Sequence, residues 1–203
     1  MSLLHQLVSI LGQVLILAVL QSILPGNFMR AARMRKLLVA ALLGLSLLVP
    51  VGGLSVAQWL RSVFGDTSIL TLVVLLNILA QRLFDFNLLH PDSRRYLLQG
   101  IAVSGVVFYP LALGLGSVDP YYFGYSPLWM SMFIAIASIV NWFRGQRDLA
   151  VALLVPLLAF NLQLLESTNL WDYLLDPIVL VYALVQSVPV SKIFRYRRIK
   201  KIA

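Results

Sequence analysis

The chain has 203 residues, of which 60% are hydrophobic and only 12% are charged, and its net charge at pH 7 is +8. Globular domains are nearer half apolar and a quarter charged, so the composition favours an integral membrane protein. The chain has no cysteine, which excludes disulfides, thiolate metal sites, iron–sulfur clusters and cysteine nucleophiles.

Seven apolar stretches follow one another along the chain and predict helices that cross a bilayer. Several are shorter than the roughly 20 residues of an ideal span. The second is the weakest, because Pro50, Gly52 and Gly53 interrupt it, so six spans remain an alternative to seven. The stretches are Leu3–Leu24, Leu37–Val51, Ile69–Phe84, Leu97–Leu115, Pro127–Phe143, Leu149–Leu165 and Pro177–Phe194.

Basic residues are confined to alternate connections between these stretches. Every basic residue except Arg61 lies in 25–36, 82–96, 144–148 or the tail 192–203. Basic residues stay on the cytoplasmic side, which predicts an outside N-terminus and an inside C-terminus. The first stretch lacks a basic leader and a good cleavage site, so a signal peptide is not expected.

The predicted fold is therefore all-α, a single integral membrane domain over residues 1–203 that forms a bundle of about seven transmembrane spans. We expect a multi-pass protein of a bacterial cytoplasmic (inner) membrane, with a short basic cytoplasmic tail at 192–203. Near 53–65, Leu54, Ala57 and Leu60 recur at helical spacing and predict a short amphipathic helix on the outer interface. The alternative is that the second span continues through Trp59.

Several helix starts are legible as a capping side chain ahead of an apolar run. Ser68 precedes the third stretch, and Asp119 and Asp176 each precede a proline suited to the first helical position.

Acidic and aromatic residues of two outer connections form the first candidate site, which we call the acid–aromatic cluster. Such a set could bind a cation, a sugar or an amine headgroup, and paired carboxylates could do acid–base work. The alternative is that the acids cap helices or are solvated, and that the rings form an interfacial belt. The candidate ligand-binding residues are Asp119, Tyr122, Glu166, Trp171, Asp172 and Asp176.

A polar face inside the predicted spans is the second candidate. Asn77, Gln81 and Asp85 are spaced four residues apart and share one helix face, and Asn141 adds a polar group on the fifth span. Polar groups in a span can line a substrate path. They can equally join helices by hydrogen bonds, which is the cheaper explanation.

The basic tail predicts contact with anionic lipid. Nucleic-acid binding is not expected, because no stacking aromatics or fold motif accompany the charge. No P-loop, HExxH or GxSxG motif occurs, and we expect neither a metal nor a cofactor.

The leading functional hypothesis is a non-catalytic accessory or scaffold protein for envelope lipid or polysaccharide handling, with membrane lipids and other membrane proteins as partners. One rival is a transporter that uses the inward polar faces. The other is an enzyme acting on lipid headgroups through Asp119, Glu166, Asp172 and His5.

Overall fold

The computed structural model describes residues 3–23, 38, 41–42 and 44–187. Within these ranges the chain is mostly helical and carries one short antiparallel strand pair, in which Pro50 lies opposite Ser55. The elements are α1 (Leu3–Ile23), β1 (Pro50–Val51), β2 (Leu54–Ser55), α2 (Val56–Phe64), α3 (Ile69–Phe84), α4 (Pro91–Ala112), a 3-10 helix (Pro120–Gly124), α5 (Leu128–Phe143), α6 (Arg147–Asn161), α7 (Trp171–Leu174) and α8 (Pro177–Ser187).

The observed helices correct the membrane prediction. In the described ranges no helix is both long enough and apolar enough to cross a bilayer. A span needs about 20 apolar residues, whereas α3 and α5 have 16 residues each and α6 has 15. The 22-residue α4 opens with Asp92, Arg94 and Arg95. The predicted seven-span bundle, its orientation, and the multi-pass location in an inner membrane are therefore wrong.

Two of the basic segments from which the orientation was predicted lie outside the described residues. These are the basic connection at 25–36 and the basic tail at 192–203. The proposed contact of the tail with anionic lipid therefore stays a prediction.

The segment near 53–65 does form the predicted helix, as α2. Ser55 begins it with a reciprocal cap, since its Oγ accepts the backbone N–H of Gln58 at 3.2 Å while Gln58 Oε1 accepts that of Ser55 at 2.7 Å. Ala57 is buried, whereas Trp59 is exposed and donates its ring N–H to the carbonyl of Val51 at 2.9 Å. The predicted helix is confirmed. Its expected position on a membrane interface is wrong, because that position depended on the predicted transmembrane spans.

Helix α3 forms the centre of the molecule and contacts α1, α6, α7 and α8. Its first half is buried around its whole circumference, because neighbouring helices cover Leu70, Leu72 and Leu75 from different sides. The predicted cap is confirmed, since Ser68 Oγ accepts the N–H of Thr71 at 3.1 Å. A helix that is apolar all round is thus buried here by protein.

Two helix pairs flank this centre. α4 packs on α8 and α5 packs on α6. Gly105 permits the first contact, because a Cβ on this residue would lie 2.4 Å from Leu180 Cδ1. Gly145 makes the tight turn between α5 and α6, with a φ of +82° that other residues rarely adopt. α4 and α5 lie beside each other, with an open groove between them.

Candidate ligand-binding site

The two connections that carry the acid–aromatic cluster do meet in the structure. Asn169 Nδ2 donates to the carbonyl of Tyr121 at 2.9 Å, and the ring N–H of Trp171 donates to that of Pro120 at 2.8 Å. Gly124 lies so close that a Cβ there would sit 1.7 Å from Asn169 Oδ1. The two connections are therefore in direct contact, and the contact is a closely packed junction.

Each predicted acid has its own protein partner. Asp119 accepts the N–H of Tyr121 at 2.9 Å and so caps the 3-10 helix, as the cap pattern indicates. Asp172 accepts the hydroxyls of Tyr121 and Ser167. Glu166 Oε2 lies 2.8 Å from Arg61 Nη2.

Asp176 is buried and accepts the N–H of Ser68, the hydroxyl of Thr71 and the N–H of Val179. These contacts show that the four carboxylates stabilise the fold. Their role in ligand binding stays a prediction.

The aromatic members of the cluster differ in exposure. Tyr122 is 68% exposed, whereas Trp171 is half-buried and packs on Phe108 with ring centroids 4.4 Å apart. Burial, and then the charge of Asp172 and the hydrogen bond to it, raise the pKa of the Tyr121 hydroxyl. Burial, then the charges of Asp176 and Asp172, raise the pKa of Tyr109 to about 12. Both phenols are therefore protonated at neutral pH, and Tyr121 donates its proton to the carboxylate of Asp172 at 3.0 Å.

The predicted polar face of α3 does not act as one unit. Asn77 is 1% exposed, and its Oδ1 accepts the N–H of Leu89 at 2.9 Å, which fixes the connection that follows the helix. Gln81 is exposed, and Asp85 ends the helix in the left-handed conformation with a φ of 54°. Asn141 donates to the carbonyl of Ala137 within its own helix, at 2.7 Å.

His5, a candidate residue of the enzyme hypothesis, donates from Nε2 to the carbonyl of Gln163 at 2.8 Å. In the described part of the chain no group of three or more His, Asp or Glu side chains could hold a metal ion.

The structure also contains a groove, lined mainly by apolar side chains, that was not predicted from the sequence. It has a volume of about 380 Å³ and runs between α4 and α5, with Leu149 and Leu153 of α6 at its floor. Leu97 and Ile101 form one wall and Met130, Phe133 and Ile134 the other, while Trp171 and Leu174 contribute from α7. We call this feature the α4–α5 groove.

The lining of the α4–α5 groove changes character along α5. It is apolar at Met130, Phe133 and Ile134, and polar at Asn141 and Arg144, which Gln146 of the following turn joins. None of the described residues that line the groove carries a carboxylate. A ligand with an apolar body and an anionic end therefore matches both its shape and its charge.

Known proteins supply no further guide. Comparisons with protein families, curated proteins and solved structures find no match to this chain.

Proposed function

We propose that the protein is a non-catalytic accessory protein in lipid handling, and that it binds the apolar chain of an anionic amphiphile in the α4–α5 groove. The observation that carries the proposal is an apolar groove that ends in a guanidinium and two side-chain amides, with no acid in its lining.

The dimensions support a hydrocarbon chain. Small-molecule sites typically enclose about 300–1,000 Å³, and the groove volume is about 380 Å³. Met130 and Arg144 are 14 residues apart on and just beyond α5, which corresponds to about 21 Å along a helix. The hydrocarbon core of a bilayer is about 30 Å thick, so one acyl chain is about 15 Å long and fits this length.

The polar end supports an anionic headgroup. Arg144 is exposed and directly follows α5, so its guanidinium can reach an anion at the rim without being buried. Arginine binds carboxylates and phosphates with paired N–H donors. Asn141 and Gln146 can add amide donors beside it.

Gly100 gives a direct test of the groove. It lines the groove, has no heavy atom within 4 Å of the position of a Cβ, and lies inside α4, so a larger side chain can enter without displacing backbone. We expect Gly100→Leu to abolish binding of the fluorescent fatty acid cis-parinarate to the purified full chain. Val107→Leu is the matched control, because Val107 is exposed on the same helix and does not line the groove.

Arg144→Gln tests the headgroup. Hydrogen bonds to charged groups contribute about 1.5–3 kcal/mol, so dodecanoate should displace cis-parinarate on the order of tenfold less effectively from the variant. Dodecanol has no charge and should displace it equally from both proteins. Binding that survives Gly100→Leu unchanged would refute the proposal, and loss of affinity for dodecanol in Arg144→Gln would refute the headgroup assignment.

A further inference from the structure

A second cavity, which we call the polar cleft, lies where the connection between α3 and α4 meets the end of α8. Its volume is about 480 Å³. None of the described residues in its lining is acidic. Two arginines and four side-chain amides line it: Arg94, Arg95, Gln81, Asn87, Gln99 and Gln186. The polar cleft is separate from the α4–α5 groove, since the two cavities share no described lining residue.

Arg94 is held in place by a contact with α8, and Arg95 is exposed beside it on α4. Arg94 Nη2 donates to the hydroxyl of Tyr182 at 2.8 Å, which ties the guanidinium to α8. That is its one side-chain hydrogen bond among the described residues, and a guanidinium has five N–H donors. Arg95 and Gln99 are four residues apart on α4 and therefore share one face of the helix.

The opposite wall of the polar cleft is fixed by the buried amide of α3. Asn77 Oδ1 accepts the N–H of Leu89, and Leu89 is a buried part of the cleft lining. The connection that carries Asn87 is thereby held against α3. The donors converge from three helices and one anchored connection.

The neighbouring acids are bound elsewhere. The Asp148 carboxylate accepts the backbone N–H of His90 and, at 2.7 Å, the hydroxyl of Ser93. Asp92 is exposed, with its Oδ2 4.0 Å from His90 Nδ1. Asp85 ends α3, and none of these three acids lines the cleft. The lining itself is cationic.

We propose that the polar cleft binds a phosphate group. Arginine presents N–H donors in a planar fork that matches phosphate oxygens, and the amide N–H groups of Gln and Asn can satisfy the remaining oxygens. An apolar ligand would cover the guanidinium and amide groups without offering them any acceptor, which disfavours it. The phosphate is either the free ion or the phosphoryl group of a larger molecule.

The test uses isothermal titration of the full chain with two probes, inorganic phosphate and glycerol 3-phosphate. We expect Arg95→Gln to weaken binding of the bound probe roughly tenfold or more, because a charge-assisted pair is lost. Arg147→Gln removes the same charge from a residue that stacks on Trp142 and lines neither cavity, so it should leave binding unchanged. Binding should also weaken as salt is raised from 0.05 to 0.5 M, an interval chosen to shorten the Debye length severalfold.

The two probes separate the two sources. Similar affinities for both probes support a site for the free ion, and a much tighter glycerol 3-phosphate complex supports a phosphoryl group on a larger ligand. Absence of binding by either probe, or an equal loss in Arg95→Gln and Arg147→Gln, overturns the proposal.

Arg94→Gln also breaks the contact with α8, so its effect on folding is followed by circular dichroism and compared with Tyr182→Phe. Tyr182→Phe removes the tie but keeps the charge, and it should weaken phosphate binding less than Arg94→Gln.

Discussion

The buried carboxylate of Asp176 offers the sharpest test of the fold. It is 7% exposed, and its Oδ2 accepts the N–H of Ser68 at 2.8 Å and the hydroxyl of Thr71 at 2.6 Å. Its Oδ1 accepts the N–H of Val179 at 2.8 Å. One side chain therefore caps its own helix α8 and also anchors the start of α3, 108 residues earlier in the chain.

We expect Asp176→Ala to lower the free energy of unfolding by about 3–5 kcal/mol. A hydrogen bond to a charged group contributes about 1.5–3 kcal/mol, and loss of a helix cap costs about 1 kcal/mol. The contributions share one carboxylate and are not additive, so the expected total lies below their sum. Asp176→Asn keeps one acceptor oxygen but brings an amide N–H₂ toward donors, and its cost should be intermediate.

Urea denaturation followed by far-ultraviolet circular dichroism measures this difference. Asp119→Ala is the matched control, because Asp119 precedes a proline in the same way but, among the described residues, its side chain accepts only the N–H of Tyr121. That variant should cost about 1 kcal/mol, the usual value of a single cap. If the two alanine variants are equally stable, Asp176 does not join α3 to α8 as described.

Two further predictions concern single contacts. Gly124→Ala would place a Cβ 1.7 Å from Asn169 Oδ1, and overpacking of this kind costs about 1–3 kcal/mol in urea unfolding; an unaffected midpoint would show that the junction is looser than described. The pKa of Asp148 is lowered, because hydrogen bonds from His90 and Ser93 outweigh the opposing and largest effect, burial. A lowered folded-state pKa stabilises the protein above the unfolded value of about 4, and this stability is lost as pH falls through the folded value. Asp148→Asn should therefore flatten the acid limb of the stability curve, and an unchanged slope below about pH 4 would contradict this.

The sequence predicted where the helices lie along the chain, but it did not predict correctly what surrounds them. The apolar stretch Ile69–Phe84 coincides with α3, and Pro127–Phe143 differs from α5 by one residue. Apolar runs with capping residues suffice for that. Mean hydropathy does not distinguish lipid from neighbouring helices as the medium around an apolar helix, and α3 is covered by four other helices. That ambiguity produced the wrong seven-span prediction.

The candidate site, too, was only partly visible in the sequence. Composition located two connections rich in acids and aromatics, and the structure brings them together through Asn169 and Trp171. The distant partners of two acids were not visible in the sequence, because Glu166 pairs with Arg61 and Asp176 with Ser68, both far away in the chain. Such pairings depend on how helices pack, which a single sequence does not encode locally.

The α4–α5 groove left a faint signal in the sequence. Tyr96, Gly100 and Ser104 are spaced four residues apart, and all three line the groove. Two small residues on one helix face leave room beside that face. Without knowledge of which helix lies opposite, the same spacing also describes a close helix contact, such as Gly105 makes with α8.

The exposed apolar residues of α4 and α5 connect the composition to the proposed function. Phe133, at 74% exposed, is a wall of the groove, and Val103 and Trp129 are exposed on the same two helices. Contiguous exposed apolar surface usually marks a binding surface. A bound chain would cover part of it, and burial stabilises by about 25 cal/mol per Å² of apolar area. In the Gly100→Leu variant, the introduced leucine side chain would cover part of the same apolar surface without any ligand. The free Gly100→Leu variant should then be at least as stable as the wild type, and only the wild type should gain stability when fatty acid is added.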